Sequence, residues 1–311
     1  EVAYRLFAAE FEDADLDYSE SDEERAPNYV ITPTGARVNR LFVVGVLTEV
    51  EPVSDDVLRA RVVDPTGAFV LYAGQYQQDE RAFLERAEPP TFVAVTGKAR
   101  TFQPEDSDRV FTSVRPESIS EVDGDTRDRW TVDAAEQTLD RVETAATAIA
   151  LGSEGRALRQ ALDDRGVEEG LADGVALALD HYGTTPTYLA AVRDTAVSAA
   201  EVVAGDREEA APLTADPAAP GDADLAALAA LDVSAGGGAK ADRSGEPSAA
   251  ATDTTESEPA TAGCQSTRLP ADFRTPRVRT LVQFAGPVFV DVLPRAVASK
   301  SGLLGVTYSH W

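Results

Sequence analysis

Residues 36–51 read ARVNRLFVVGVLTEVE, and residues 58–77 read LRARVVDPTGAFVLYAGQYQ. The first stretch is an apolar run interrupted by Gly45, and the second contains two alternating runs joined by DPTG at 64–67. Pro and Gly favour tight turns, while β-branched and aromatic residues favour strands, so the second stretch predicts a β-hairpin. Glycine tolerates close backbone approach, so we expect the first strand to bend sharply at Gly45.

After the hairpin, the spacing of the apolar residues changes from that of a strand to that of a helix, and then returns to that of a strand. Residues 79–90 (DERAFLERAEPP) predict a short helix ended by two prolines, and residues 91–102 (TFVAVTGKARTF) and 109–119 (RVFTSVRPESI) predict two further strands. The order is three strands, a helix and two strands. That is the order of an OB-fold, a small Greek-key barrel. We therefore predict an OB-fold β-barrel over 36–122, followed by an α-helical C-terminal region.

The net charge of the 311-residue chain is −26, and its surface is acid-rich and lysine-poor, as in proteins of extreme halophiles. Phosphate binding needs cations, so such a chain would ordinarily not be expected to bind nucleic acid. The acid is unevenly distributed, however: residues 37–122 carry net −4, and residues 123–263 carry net −18. A binding surface on the barrel is therefore compatible with the charge of the chain.

Signatures of catalysis and of cofactor binding are missing from the sequence. Gly97 and Lys98 lack the upstream glycine of a phosphate-binding loop, and no nucleophile elbow is present. One cysteine and two histidines cannot build a zinc finger or a disulfide framework. No run approaches the roughly 20 apolar residues of a membrane span. We expect a non-enzymatic cytoplasmic protein without metal, cofactor or membrane attachment.

Composition divides the remainder of the chain into segments. Residues 205–263 are rich in Ala, Pro, Gly and Asp, which predicts a disordered acidic linker. The tail at 264–311 reverses to net +4. A DNA-touching arm, a small β element and a non-native segment translated in a shifted reading frame are the alternatives, and we favour the last. The predicted segments around the barrel are an N-terminal extension (1–35), an assembly helix (123–150), a small helical domain (151–204), the linker and the tail.

The predicted helix over 123–150 carries apolar residues at alternating spacings of three and four. Such a narrow stripe suits pairing with other helices, and packing on the chain's own barrel is the alternative. We assign partner binding to this seam, which consists of Val132, Ala135, Leu139, Val142, Ala146 and Ile149.

Strand alternation assigns the faces of the barrel, because every second residue of a strand shares a face. The residues at 58, 60, 62, 69, 71 and 73 are apolar and are expected to fill the core. The opposite face collects cations and rings, the ingredients of a platform for single-stranded DNA. The predicted DNA-binding residues are Arg59, Arg61, Tyr72, Tyr76, Lys98, Arg100 and Phe102. In the alternative interpretation, Tyr72 and Tyr76 are covered by the N-terminal segment or by the following helix.

Three segments together resemble the replication protein A family, and within it the replication protein A associated proteins of salt-loving archaea. They are APNYVITPTGARVNRLFVVGVLTEVE (26–51), RARVVDPTGAFVLYAGQYQ (59–77) and VAVTGKARTF (93–102). The resemblance covers roughly residues 1–200 and is absent after Gly263. It implies a single-stranded-DNA-binding accessory subunit that forms a hetero-oligomer with a larger replication protein A subunit in DNA replication and repair. Large subunits of the family often carry a zinc motif, which this chain lacks.

Two functional hypotheses therefore stand. The first is a single-stranded DNA binder that uses the outer face of the barrel. The second is an OB-fold interaction module that scaffolds a replication protein A complex and contacts DNA little. The cations and rings favour the first, and the overall acidity and the seam favour the second.

Overall fold

The computed structural model describes residues 3–19 and 27–231, and the secondary-structure elements follow one another through this part of the chain. In order they are α1 (Ala8–Glu12), β1 (Leu16–Ser19), β2 (Asn28–Ile31), β3 (Arg37–Val38), β4 (Arg40–Ser54), β5 (Val57–Val63), β6 (Ala68–Ala73), α2 (Gln78–Arg86), β7 (Thr91–Phe102), β8 (Phe111–Glu121), α3 (Gly124–Leu151), α4 (Gly155–Asp163), α5 (Glu169–Tyr182), α6 (Pro186–Ala204) and α7 (Leu225–Leu228).

Five strands close into a barrel in the order β4-β5-β6-β8-β7. The neighbours pair antiparallel except β6 and β8, which pair parallel, and α2 connects the third barrel strand to the fourth. This is the topology of an OB-fold, so the predicted fold class is confirmed. Five of the six residues predicted to fill the core are buried, namely Ala60, Val62, Phe69, Leu71 and Ala73, and the sixth, Leu58, is half-buried against the same core.

The long strand β4 pairs with two neighbouring strands. Its first half pairs with β7 from Arg40 to Leu47, and its second half pairs with β5 from Val46 to Ser54. The crossing needs Gly45, because a Cβ there would lie 2.4 Å from the carbonyl oxygen of Val63. The close backbone approach expected at this glycine is therefore present, and the sharp bend stays a prediction.

The N-terminal segment is part of the core rather than an extension. Tyr4 pairs with Leu41 at the start of β4. Phe7 and Phe11 are buried against the barrel, with the Phe11 ring 5.9 Å from the ring of Phe69. The prediction of a separate segment over 1–35 is corrected, because its apolar residues have no other surface on which to pack.

Part of the seam is buried within the chain itself. Val142 and Ala146 are fully buried in a cluster with Tyr188, Leu189 and Val192, the last three from α6. The other seam residues differ in exposure: Ala135 is buried, Leu139 and Ile149 are half-buried, and Val132 is 37% exposed. The assignment of partner binding is therefore corrected for Ala135, Val142 and Ala146, which the chain's own core buries; for Val132, Leu139 and Ile149 it stays a prediction.

The boundaries predicted after the seam also change. The helices expected over 151–204 exist, but they belong to the same compact unit as the barrel and not to a separate domain. Residues 205–231, predicted as linker, pack on α3 and α6 through leucines that include Leu213 and Leu228. The rest of the predicted linker and the basic tail at 264–311 lie outside the described residues. No helix in the described ranges is long and apolar enough to cross a membrane.

A buried ion pair ties the N-terminal segment to α3. The Arg141 guanidinium lies 2.7 Å from the Glu10 carboxylate, and the two side chains are 5% and 2% exposed. Thr34 donates a hydrogen bond to the same carboxylate and accepts one from Arg141. Because a buried ion pair whose hydrogen bonds are satisfied is costly to break, this pair fixes where α3 crosses the N-terminal segment.

Placing a carboxylate in the buried part of the seam should destabilise the whole fold. Val142→Asp puts an unpaired charge in the α3–α6 core, and we expect its melting temperature to fall by roughly 6–12 °C. Val132→Asp is the matched control on the same helix, because Val132 is 37% exposed, and its melting temperature should stay close to that of the wild type. Equal melting temperatures for the two variants, measured by circular dichroism, would contradict the packing of α3 against α6.

A second polar contact joins the N-terminal segment to α6. The Tyr188 hydroxyl donates a hydrogen bond of 2.9 Å to Asp13. Burial raises the pKa of Asp13 from 3.8 to about 6, although the hydrogen bond from Tyr188 opposes the shift. Between pH 3.8 and about 6, the Asp13 carboxyl is mostly ionised in the unfolded chain and mostly protonated in the folded protein. This group therefore lowers the free energy of unfolding as the pH rises from about 4 to about 6.

Asp13→Asn removes this titration and keeps an oxygen that can accept from Tyr188. We expect the stability of the variant relative to wild type to increase as the pH rises from 4 to 6, and to stay constant above 7. Asp163→Asn, on the exposed side of α4, is the control and should follow the wild-type profile. Urea unfolding at a series of pH values measures this, and parallel profiles for Asp13→Asn and wild type would refute the raised pKa of the half-buried Asp13 carboxyl.

Candidate nucleic-acid interface

The register of the barrel places the predicted cations and rings in rows across neighbouring strands. On β5 and β6, Arg59 lies opposite Tyr72. On β7 and β8, Lys98 lies opposite Arg115, and Phe102 lies opposite Phe111. Strand alternation turns all six of these residues away from the core.

The two pairs of strands are joined through β6 and β8, where Leu71 pairs with Val114. Both of these residues are fully buried, so the next residue on each strand, Tyr72 and Arg115, points outward on adjacent strands. Arg40 of β4 lies opposite Lys98 and completes the row. We call the five side chains that follow one another around the outside of the barrel the basic row: Arg59, Tyr72, Arg115, Lys98 and Arg40.

The rings of this face are open to solvent. Tyr72 is 40% exposed, Phe102 is 64% exposed and Phe111 is 42% exposed. Tyr76, at 86%, is the most exposed of the predicted rings, but it lies three residues beyond β6, in the turn before α2. Strand alternation therefore does not set its direction. The alternative in which the N-terminal segment or α2 covers Tyr72 and Tyr76 does not hold.

Several cations of the face have no carboxylate partner in the described part of the chain. Arg61, Lys98 and Arg115 form no ion pair there, and Arg59 only approaches Glu51 at 4.0 Å. Arg100 lies between Lys98 and Phe102 on β7; burial and the nearby charge of Arg115 lower its pKa. The positive charges of Arg100 and Arg115 repel each other, and a bound anion reduces that repulsion. The face therefore favours a negatively charged ligand.

A β-bulge shapes one end of the basic row. Thr96 pairs with Ser118 and Gly97 pairs with Pro116, so Glu117 has no opposite residue on β7. Gly97 allows the close crossing, because a Cβ there would lie 2.6 Å from the carbonyl oxygen of Arg115. The inserted Glu117 accepts two hydrogen bonds from Arg40, of 2.5 Å and 3.1 Å. The hydrogen bond from Arg40 is the main reason that the pKa of Glu117 is lowered.

Sequence reasoning missed Arg40, Arg115 and Phe111. The signal was available for β8, because the alternation of buried Val114 and Pro116 places Phe111 and Arg115 on the outer face. The membership of Arg40 in the basic row was harder to predict from the sequence. Its position in the row depends on the pairing of β4 with β7, and sequence alternation within one strand does not reveal which strands are neighbours.

No protein-family model and no curated protein sequence matches this chain. Solved structures share part of the fold. A chain in a structure of a replication protein A heterotrimer bound to single-stranded DNA is 15% identical, over 45% of this chain and 98% of that chain, with a TM-score of 0.33. A chain of the Stn1–Ten1 complex of S. pombe is 15% identical, over 42% of this chain and 86% of that chain, with a TM-score of 0.32.

The second single-stranded DNA-binding protein of Mycobacterium smegmatis is 17% identical, over 27% of this chain and 86% of that chain, with a TM-score of 0.23. Identities and scores this low say nothing about the ligand of this chain. Its own topology and side chains define the class: an OB-fold protein with a basic, aromatic outer face.

Proposed function

We propose that this protein binds single-stranded DNA across the outer face of β5, β6, β8 and β7. The observation that carries the proposal is the basic row, in which four cations and Tyr72 follow one another across five neighbouring strands. The exposed rings of Phe102 and Phe111 lie beside it on the same face. Cations track a phosphate backbone, and each base that stacks on a ring contributes about 1–3 kcal/mol.

A single strand suits this face better than a duplex does. The bases of a single strand are free to stack on Tyr72, Phe102 and Phe111, whereas the bases of a duplex are stacked on one another. A duplex would rely on phosphate contacts alone, and the chain has a net charge of −26. Stacking is a short-range interaction, so it survives the screening of charge at high salt. We therefore expect binding to depend on the rings as much as on the cations.

We further propose that the protein acts without catalysis, as an accessory subunit beside a larger replication protein A subunit in DNA replication and repair. The support is the family resemblance of the segments 26–51, 59–77 and 93–102. The contact with the larger subunit would have to avoid the buried part of the seam. Val132 of α3 and Val197 of α6 are the exposed apolar residues of the two packed helices, at 37% and 40%.

The second candidate function, an interaction module with little DNA contact of its own, loses its main support. Its proposed surface was the seam, and Val142 and Ala146 of the seam are fully buried in the chain's own core. The acidity of the chain remains in its favour. The affinity of this chain alone for an oligonucleotide separates the two candidates, because the interaction module predicts little binding.

Arg115→Gln tests the DNA-binding proposal at the centre of the basic row. We expect fluorescence polarisation of a labelled oligothymidylate to show weaker binding than by the wild type. The slope of log K against log salt should be shallower by about 0.7, the value for one phosphate contact on a single strand. The matched control is Arg165→Gln, because Arg165 is exposed between α4 and α5 and forms no ion pair among the described residues.

The control should keep both the wild-type affinity and the wild-type slope. Equal slopes for Arg115→Gln and Arg165→Gln would remove Arg115 from the site. Absence of binding by the folded wild-type protein would refute the proposed function itself.

A further inference from the structure

A carboxylate lies in the middle of the cations that the proposed function uses. Glu117 is the inserted residue of the β8 bulge, and its side chain is 31% exposed. Arg40 holds it with two hydrogen bonds, and the positive charges of Lys98 and Arg115 act on it as well. One cation of the basic row therefore pairs directly with this carboxylate, and the charges of two others help to lower its pKa.

The geometry of this contact is that of a guanidinium with an oxyanion. An arginine that donates two parallel hydrogen bonds to a carboxylate offers the same fork to two phosphate oxygens. Bulges re-aim a side chain out of the regular alternation of a strand. Here the bulge delivers a carboxylate onto the cationic surface, where the basic row would otherwise carry only positive charge.

We propose that Glu117 is a built-in competitor for phosphate, which pairs with Arg40 in the free protein and weakens the attraction of the basic row for a nucleic-acid backbone. The proposal rests on the proposed function, because it concerns the same face. Glu117 reduces the net positive charge of the basic row that an approaching anion encounters. A ligand must therefore add stacking on Tyr72, Phe102 or Phe111 to its phosphate contacts, so the face selects a strand with accessible bases over other polyanions.

Glu117→Gln tests the proposal, because glutamine keeps the size of the side chain and removes its charge. We expect the variant to bind a labelled oligothymidylate about three- to tenfold more tightly than the wild type, since one repulsive charge close to the backbone is gone. The slope of log K against log salt should steepen by about 0.7, as for one further phosphate contact. Glu121→Gln is the matched control, because Glu121 is an exposed acid at the far end of the same strand, opposite Val93.

The control separates local competition from the general loss of one negative charge, and its affinity should change less than twofold. If Glu117→Gln binds no more tightly than Glu121→Gln, the proposal is overturned. Weaker binding by Glu117→Gln also overturns it, because Glu117 would then be a group that positions Arg40 for the DNA. Both results apply only if the wild-type protein binds the oligothymidylate. If it does not, the proposed function itself has failed, and that outcome is distinguishable from either result.

Discussion

The double pairing of β4 is the constraint on which the barrel and its outer face depend. β4 reaches β7 with its first half and β5 with its second, and Gly45 lets the backbone of β5 approach closely where the two pairings overlap. Closure leaves β8 between β6 and β7, because each strand of a closed barrel has two neighbours. That placement brings Arg115 between Tyr72 and Lys98. Without it, the basic row would be interrupted between Tyr72 of β6 and Lys98 of β7.

Charge on this protein is best understood locally. The chain as a whole is strongly acidic, yet the outer face of the barrel holds Arg61, Lys98 and Arg115 without ion pairs in the described ranges. At molar salt the Debye length is about 3 Å, so distant acids repel a phosphate little. Contacts within a few ångströms then decide binding. This makes Glu117, held by Arg40 within the basic row, more influential than the many acids elsewhere on the surface.

The barrel was predictable because its signals are local. Alternation gave the inward residues of β5 and β6, and DPTG gave the turn between them. The assignment of the seam was wrong for its buried members, because spacing shows that Val142 and Ala146 share a face but not what covers it. The covering helix, α6, carries apolar residues at matching spacing, including Leu189 and Val192. The linker prediction over 205–231 was wrong for a related reason. The average composition of this segment is that of a linker, and it hides the few leucines that pack the segment on α3 and α6.

Ultraviolet crosslinking of an oligothymidylate, followed by mass spectrometric mapping of the crosslinked peptides, tests the central claim most directly. It reports which side chains the bases touch in the wild-type protein, with no substitution to perturb the fold. The account predicts crosslinks on β6, β7 and β8 at Tyr72, Phe102 and Phe111, the exposed rings of the outer face. Crosslinks confined to the helices α3–α6, with none on these three strands, would contradict it.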